Sequence, residues 1–295
     1  MGQGEGVIRI GRVLQRHWDW RAACNFVFGG SGGALLALAT VHGAGDAAAL
    51  ATRLLALVLV GAGLACVWLE IGRPWRAMNV FRHPQRSWMT REAIVATATF
   101  ALALSGLAFG VPVLSWAAAA GGIAFVYCQG RILKATRGVP AWRQAAIVPL
   151  VVATGFAEAG GLMTALLAVL AAVPGWLPWL LLASLAARAL AWKRYRSELK
   201  ADDAPEPALV LAGRLEPVVV VLGTLLPAAL IVPALAAAAL PATAPAAPAL
   251  QGVAGLLALL PGWTLKFVLV TRAAQLQGYA FGKLRRGHPL ARARG

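Results

Sequence analysis

Apolar residues fall along this chain in eight long runs, at about 22–41, 50–70, 93–113, 115–132, 145–172, 175–192, 217–240 and 250–271. Most come close to the roughly 20 residues a helix needs to cross a bilayer's hydrocarbon, and none alternates like a half-buried strand. The pattern predicts an all-α integral membrane protein, an eight-transmembrane-helix bundle forming a single membrane domain over residues 1–295. Two breaks are slight: Pro112 between the third and fourth runs, and Pro174-Gly175 between the fifth and sixth. Each of those pairs is too long for one crossing. Alanine and glycine fill the runs, as expected where helices associate by close backbone packing in lipid. The first run follows a basic segment with no cleavage signature, so it reads as a retained span, not a signal peptide. The alanine–proline stretch 236–248 reads as a helix end and an outer loop.

Composition agrees. Of 295 residues, 60% are hydrophobic and 13% charged, against about a quarter charged in soluble domains. The formal net charge of +16 would suggest nucleic acid in a soluble protein. Here the basic residues sit between apolar runs, where they set membrane orientation, and nucleic acid is excluded as a partner. They occupy the amino-terminal segment (Arg9, Arg12, Arg16, Arg21), the second connection (Arg73, Arg76, Arg82, Arg86, Arg91) and the fourth (Arg131, Lys134, Arg137, Arg143). The sixth (Arg188, Lys193, Arg194, Arg196, Lys200, Arg214) and the carboxyl end (Arg272, Lys283, Arg285, Arg286, Arg292, Arg294) follow. These are 25 of the 27 basic residues; only Arg53 and Lys266 fall elsewhere. The positive-inside rule then puts both termini and every basic loop in the cytoplasm, as expected of a multi-pass protein of the bacterial inner membrane.

Cys24, Cys66 and Cys128 are far apart and form no C-x-x-C pair, so they do not suit a four-cysteine iron–sulfur cluster. None of His17, His42, His83 and His288 lies inside an apolar run, so two imidazoles do not meet across the bundle to hold a haem. The expectation is no haem and no metal in this chain. Any electron transfer then needs a bound organic cofactor or a partner's metals.

The segment Glu70–Glu92 interleaves arginine and tryptophan between the second and third runs. Pro74 can open a short helix, and Trp75, Met78 and Phe81 recur at helical spacing, which predicts an amphipathic segment at headgroup level. Ser87 or Thr90 can cap the third helix, with Glu92 in its first turn. A positive-inside loop with an aromatic anchor explains this equally well. The sharper reading takes Glu70 and Glu92 as carboxylates beside arginines at the interface, able to exchange protons with a lipid-dissolved quinone.

The same segment resembles the signature of the dimethyl sulfoxide reductase membrane-anchor (DmsC/NrfD-like) family. Gly72-Arg-Pro-Trp-Arg-Ala77 leading to Ser87-Trp-Met-Thr-Arg-Glu92 follows the family pattern, as do Arg131, Pro140-Ala-Trp142, Pro149 and Thr154-Gly155. The resemblance covers about residues 20–165. It implies a subunit that binds quinone (ubiquinone or menaquinone) and docks an iron–sulfur electron-transfer subunit serving a molybdopterin catalytic subunit. With the signature loop on the arginine-rich side, both partners are expected in the cytoplasm. The implied quinone residues are Glu70, Arg73, Trp88, Arg91, Glu92, Asn25 and Tyr127, and the implied docking residues Arg76, Arg82 and Arg86. Glu70 stands where relatives carry a histidine, a departure in that site's proton chemistry. His17-Trp-Asp-Trp-Arg-Ala-Ala23 and Leu69–Pro74 look most like anchors of phenylacetyl-CoA:acceptor oxidoreductase, then like sulfite-oxidising quinone-linked anchors.

Glu158 lies mid-run, where an ionisable group is costly and functional by default; it reads as a proton relay or an interhelical hydrogen-bonding group. Lys266, near the end of the last run, is expected to snorkel. Gly29-Gly-Ser-Gly-Gly33 reads as helix packing, because no histidine base accompanies the serine. The cysteines read as packing residues, and Asp19 as interfacial. Two competing readings stay open. One is a secondary transporter of eight helices using Glu158, against which stands the absence of an internal repeat; the other is a structural anchor with no redox ligand.

Overall fold

A computed structural model describes residues 13–15, 18–43, 45–70, 74–170, 173–202, 204–239 and 246–276. The long helices are α1 (Trp20–His42), α2 (Ala47–Glu70), α3 (Trp88–Phe109), α4 (Pro112–Ala135), α5 (Ile147–Val169), α6 (Leu177–Ala201), α7 (Glu206–Ala238) and α8 (Ala247–Thr271). Among the described residues seven are long and apolar enough to cross a membrane, all but α6. That helix has 25 residues and packs on α5, yet carries Arg188, Lys193, Arg194, Arg196 and Lys200 along its length. The sequence reading put those five in a connection. The structure corrects this: the helix continues through them to Ala201, and Arg188 is fully buried.

Helix ends follow local chemistry. Asp19 caps α1, accepting the Arg21 backbone N–H at 2.8 Å, and Ser87 caps α3, accepting from Thr90 at 3.3 Å. The αL residue Gly110 (φ 64°) closes α3, and Pro112, with no N–H to lose, opens α4. Two π stretches interrupt the regular pattern, Asn25–Gly29 in α1 and Pro217–Leu225 in α7. Pro74–Arg82 forms a 3₁₀ helix in the second connection.

Helices α1 and α5 form the interior, with 89% and 67% of their spans buried, against 22% for α3 at the periphery. Small residues make this possible. A Cβ on Gly33 would lie 2.9 Å from the Gly122 carbonyl, and one on Gly122 would overlap the Gly33 carbonyl, so α1 and α4 meet backbone to backbone. Gly161 and Gly255 play the same part between α5 and α8. The glycines of Gly29–Gly33 thus pack helices.

One end of the bundle is tied down by polar contacts. Trp142 stacks on Trp18 (centroids 5.0 Å apart) and donates its indole N–H to the Leu269 carbonyl at 2.8 Å. The Tyr195 hydroxyl donates to Ala141, and the Glu198 carboxylate accepts from the Ala146 N–H. Arg143 and Gln144 hold Asp202 at 2.7 and 2.9 Å. Val13–Leu14 (β1) pairs antiparallel with Gln275–Leu276 (β2), joining the segment before α1 to the segment after α8.

Candidate functional site

The π stretch at Asn25 shapes the site. A π turn widens the helix locally and rotates the side chains that follow. Asn25, buried, donates its amide N–H to Glu92 Oε1 at 2.9 Å, while its backbone carbonyl accepts from Gln129 Nε2 at 2.9 Å. Three helices, α1, α3 and α4, therefore present one polar group each to a common point. The Oδ1 of Asn25 and the Oε1 of Gln129 are buried with no partner among the described residues, which in a dry interior marks room for a ligand or water.

Beside this point opens a cleft of about 370 Å³, inside the range of about 300–1,000 Å³ common for small-molecule sites. Its walls are mainly apolar: Trp18, Ala22, Phe26, Val67, Val80, Met89 and Ile132, with Asn25, Glu70 and Glu92 as the polar exceptions. A second cleft of about 210 Å³ shares Val67, Val80, Met89 and Glu92, and runs outward past Trp68 and Met78, which are 62% and 69% exposed. Glu92 thus stands where an inner cleft meets a side opening between α2, α3 and the 3₁₀ helix.

Trp88, Arg91 and Tyr127 gather next door. The guanidinium carbons of Arg91 and Arg131 lie 4.3 and 4.4 Å from the Trp88 ring, Tyr127 meets that ring edge-on, and Arg131 donates to the Tyr127 hydroxyl at 2.9 Å. Arg91 also donates to the carbonyls of Pro84 and Gln85 at 2.7 and 3.0 Å, pinning the turn before α3. Of the seven quinone residues expected from sequence, Asn25, Glu70 and Glu92 share the cleft. Trp88, Arg91 and Tyr127 form the adjoining stack, and Arg73 lies outside the described residues. Of the docking residues, Arg82 and Arg86 are exposed; the Arg76 side chain is outside the described residues, as are the Trp75 side chain, His17, the basic residues before Val13 and those after Leu276.

Deeper in the bundle Glu158 has an identifiable partner. Lys266 Nζ lies 2.6 Å from Glu158 Oε2, and the two are 2% and 0% exposed. The Ser31 hydroxyl lies 2.7 Å from the same oxygen, and Trp263 donates its indole N–H to Ser31 at 2.9 Å. The expected snorkelling of Lys266 is therefore overturned: a buried carboxylate neutralises it in place. Arg188 meets no carboxylate among the described residues; its two terminal nitrogens donate to the carbonyls of Ala258, at 2.8 Å, and Gly223. Lys266 Nζ and Gln129 Oε1 both crowd Gly30, 2.6 and 2.8 Å from where a Cβ there would stand. The Asn25–Glu92 and Glu158–Lys266 groups are neighbours on that account. Outside the spans, the Arg21 hydrogen bond holds the Asp19 carboxyl below the usual carboxylate range. Partial burial pushes Asp202 up, but hydrogen bonds from Arg143 and Gln144 outweigh it and keep Asp202 low as well.

The sequence profile of the family described as DMSO reductase anchor subunit (DmsC) matches residues 26–193, more than half of the chain. The chain belongs to this family. No curated protein matches it. The match takes in α1 from Phe26 onward through most of α6, starting just after Asn25, and identifies a multi-pass membrane anchor subunit. Sequence reasoning missed Trp18 and Met89 in the cleft wall and Gln129 behind Asn25. Gln129 had a signal, as an uncharged amide inside an apolar run, whereas Trp18 and Met89 carried none until the fold brought them together.

Proposed function

We propose that this DmsC-family chain is the membrane anchor and quinone-binding subunit of a molybdenum/iron–sulfur oxidoreductase. It passes electrons between an iron–sulfur subunit docked on its basic face and membrane quinone. The observation that carries the reading is the Glu92 carboxylate, hydrogen-bonded by Asn25 in the wall of an apolar cleft that opens sideways past Trp68 and Met78. A quinone supplies two-electron, two-proton redox chemistry when bound. The chain's residues suit its headgroup. Apolar walls exclude water, the unpartnered Asn25 Oδ1 offers an acceptor, and Glu92 and Glu70 hold protons at carboxyl oxygens facing the cleft. General acid–base help of this kind is worth about 10²–10⁴-fold. In the same reading Glu158 takes part in proton exchange, supported by the polar ends of Gln129 and Lys266 both lying beside Gly30.

The reading includes eight crossings with both termini in the cytoplasm. The β1–β2 pair supports it, because segments flanking the first and last helices meet at one end of the bundle, as an even number of crossings requires. Helix α6, 25 residues and so about 37 Å long, is the eighth. Its buried cation finds two backbone carbonyls, the arrangement that makes a charge tolerable at depth. The basic residues then share the cytoplasmic side, and the molybdenum and iron–sulfur partners are cytoplasmic too. The transporter reading is weakened by the Glu158–Lys266 pair, which leaves neither charge free to carry a substrate.

Glu92→Gln in the intact assembly tests the assignment. Quinol oxidation should fall about 100-fold or more while the assembly still forms. Unchanged quinol oxidation would remove Glu92, and with it the cleft, from the mechanism.

A further inference from the structure

A second concavity, about 620 Å³, lies at the basic end of the bundle, outside the quinone cleft. Arg86, Arg131, Lys134, Arg137 and Arg143 line it with a single carboxylate, Asp202. Asp202 is already held by Arg143 and Gln144, so among the described residues the other four cations have no carboxylate of their own. Arg131 shows this most plainly. One guanidinium nitrogen donates to Tyr127, the group lies over Trp88, and its Nε is buried with no partner.

The helix face that leads up to this cavity decides its occupant. On α4, Trp116, Ala120, Ile123 and Tyr127 are exposed, and Arg131 and Lys134 follow at the same spacing. From Trp116 to Lys134 is about five turns, so all six occupy one face of the helix. The apolar part, Trp116 to Tyr127, rises about 16 Å, half of a hydrocarbon core about 30 Å thick. One face thus runs from an apolar strip one leaflet deep, through an interfacial Tyr and Trp, into a cationic pocket. A lipid with acyl chains and an anionic headgroup has that same sequence of surfaces; the acidic face of a folded protein has no counterpart to the strip.

We infer that the pocket between the ends of α4 and α6 is a binding site for the phosphate headgroup of an anionic phospholipid whose chains lie along Trp116–Tyr127. Basic pockets between transmembrane helices recognise such headgroups through the same charge complementarity. The lipid would fill the space beside Trp88 and brace the turn from which Glu92 is presented.

Native mass spectrometry of the delipidated full-length chain in mild detergent tests this, with cardiolipin, phosphatidylglycerol, phosphatidylcholine and inorganic phosphate as separate probes. The expected result is retention of the two anionic lipids at least tenfold over phosphatidylcholine. Removing two cations in Arg131→Gln/Arg137→Gln should weaken anionic-lipid binding about thirty-fold, whereas Arg131→Lys/Arg137→Lys should largely retain it and Arg82→Gln should leave it unchanged. Equal retention of anionic and neutral lipid by the unaltered chain would overturn the site, whatever the variants do. Inorganic phosphate displacing the lipid at similar concentration would reassign the pocket to free anions, and undiminished binding by the double glutamine variant would place the lipid elsewhere.

Discussion

Lys266→Met removes one charge of the buried pair and keeps most of the apolar stem. At 2.6 Å the attraction between Lys266 and Glu158 is roughly 6 kcal/mol for an effective dielectric near 20. Desolvation of both ions offsets much of it. What remains measurable is the cost of breaking the pair, since Glu158 would be left fully buried with the Ser31 hydroxyl beside one oxygen and nothing on the other. Removing one partner of such a pair costs about 3–5 kcal/mol. Glu158→Gln alone should cost less, because the amide oxygen can still accept from Ser31 and from the Lys266 ammonium, and Glu158→Gln/Lys266→Met should recover part of the loss with a coupling of about 1–3 kcal/mol. Denaturant titration of the four proteins in one detergent reads these differences directly. A Lys266→Met penalty under about 1 kcal/mol, or additive single effects, would show that Lys266 reaches the interface instead, and the pairing would be wrong.

Gly122→Val should destabilise the bundle by about 1–3 kcal/mol through overpacking at the Gly33 backbone, read as a lowered unfolding midpoint; the same change at Gly175, where nothing lies near, should be almost neutral. Single cysteines at Gly138 and Gly175, in a background with Cys24, Cys66 and Cys128 replaced, should react with a membrane-impermeant maleimide from opposite sides of the membrane. Labelling from one side would remove the α5 crossing and the even count with it.

Much of this architecture could be read from hydropathy, because lipid demands long unbroken apolar helices and leaves a strong imprint. The breaks at Pro112 and Pro174-Gly175 fall where α4 and α6 are about to begin. Helix α6 marks the limit of such reading: a charge density that signals a loop also fits a helix whose buried Arg188 donates to carbonyls distant in sequence. Lys266 failed for the same reason, since its partner Glu158 is 108 positions away. The π stretch at Asn25 leaves no composition signal, yet it helps place the Asn25 amide at Glu92. The motif Ser87–Glu92 was informative at both ends, Ser87 as a cap and Glu92 in the cleft. Arg91, one position before Glu92 and so about 100° around the helix, turns to the neighbouring stack with Trp88, which lies one turn below Glu92.

The central claim is that the cleft between Asn25, Glu70 and Glu92 receives a quinone headgroup. The most direct measurement is photolabelling of the membrane-embedded assembly with an azido-quinone, followed by peptide mapping of this chain. Label is expected on α1 around Ala22–Phe26 and on α3 around Met89–Glu92, suppressed by excess unmodified quinone. Label confined to lipid-facing residues such as Trp116 and Ile123, or insensitive to competing quinone, would contradict it.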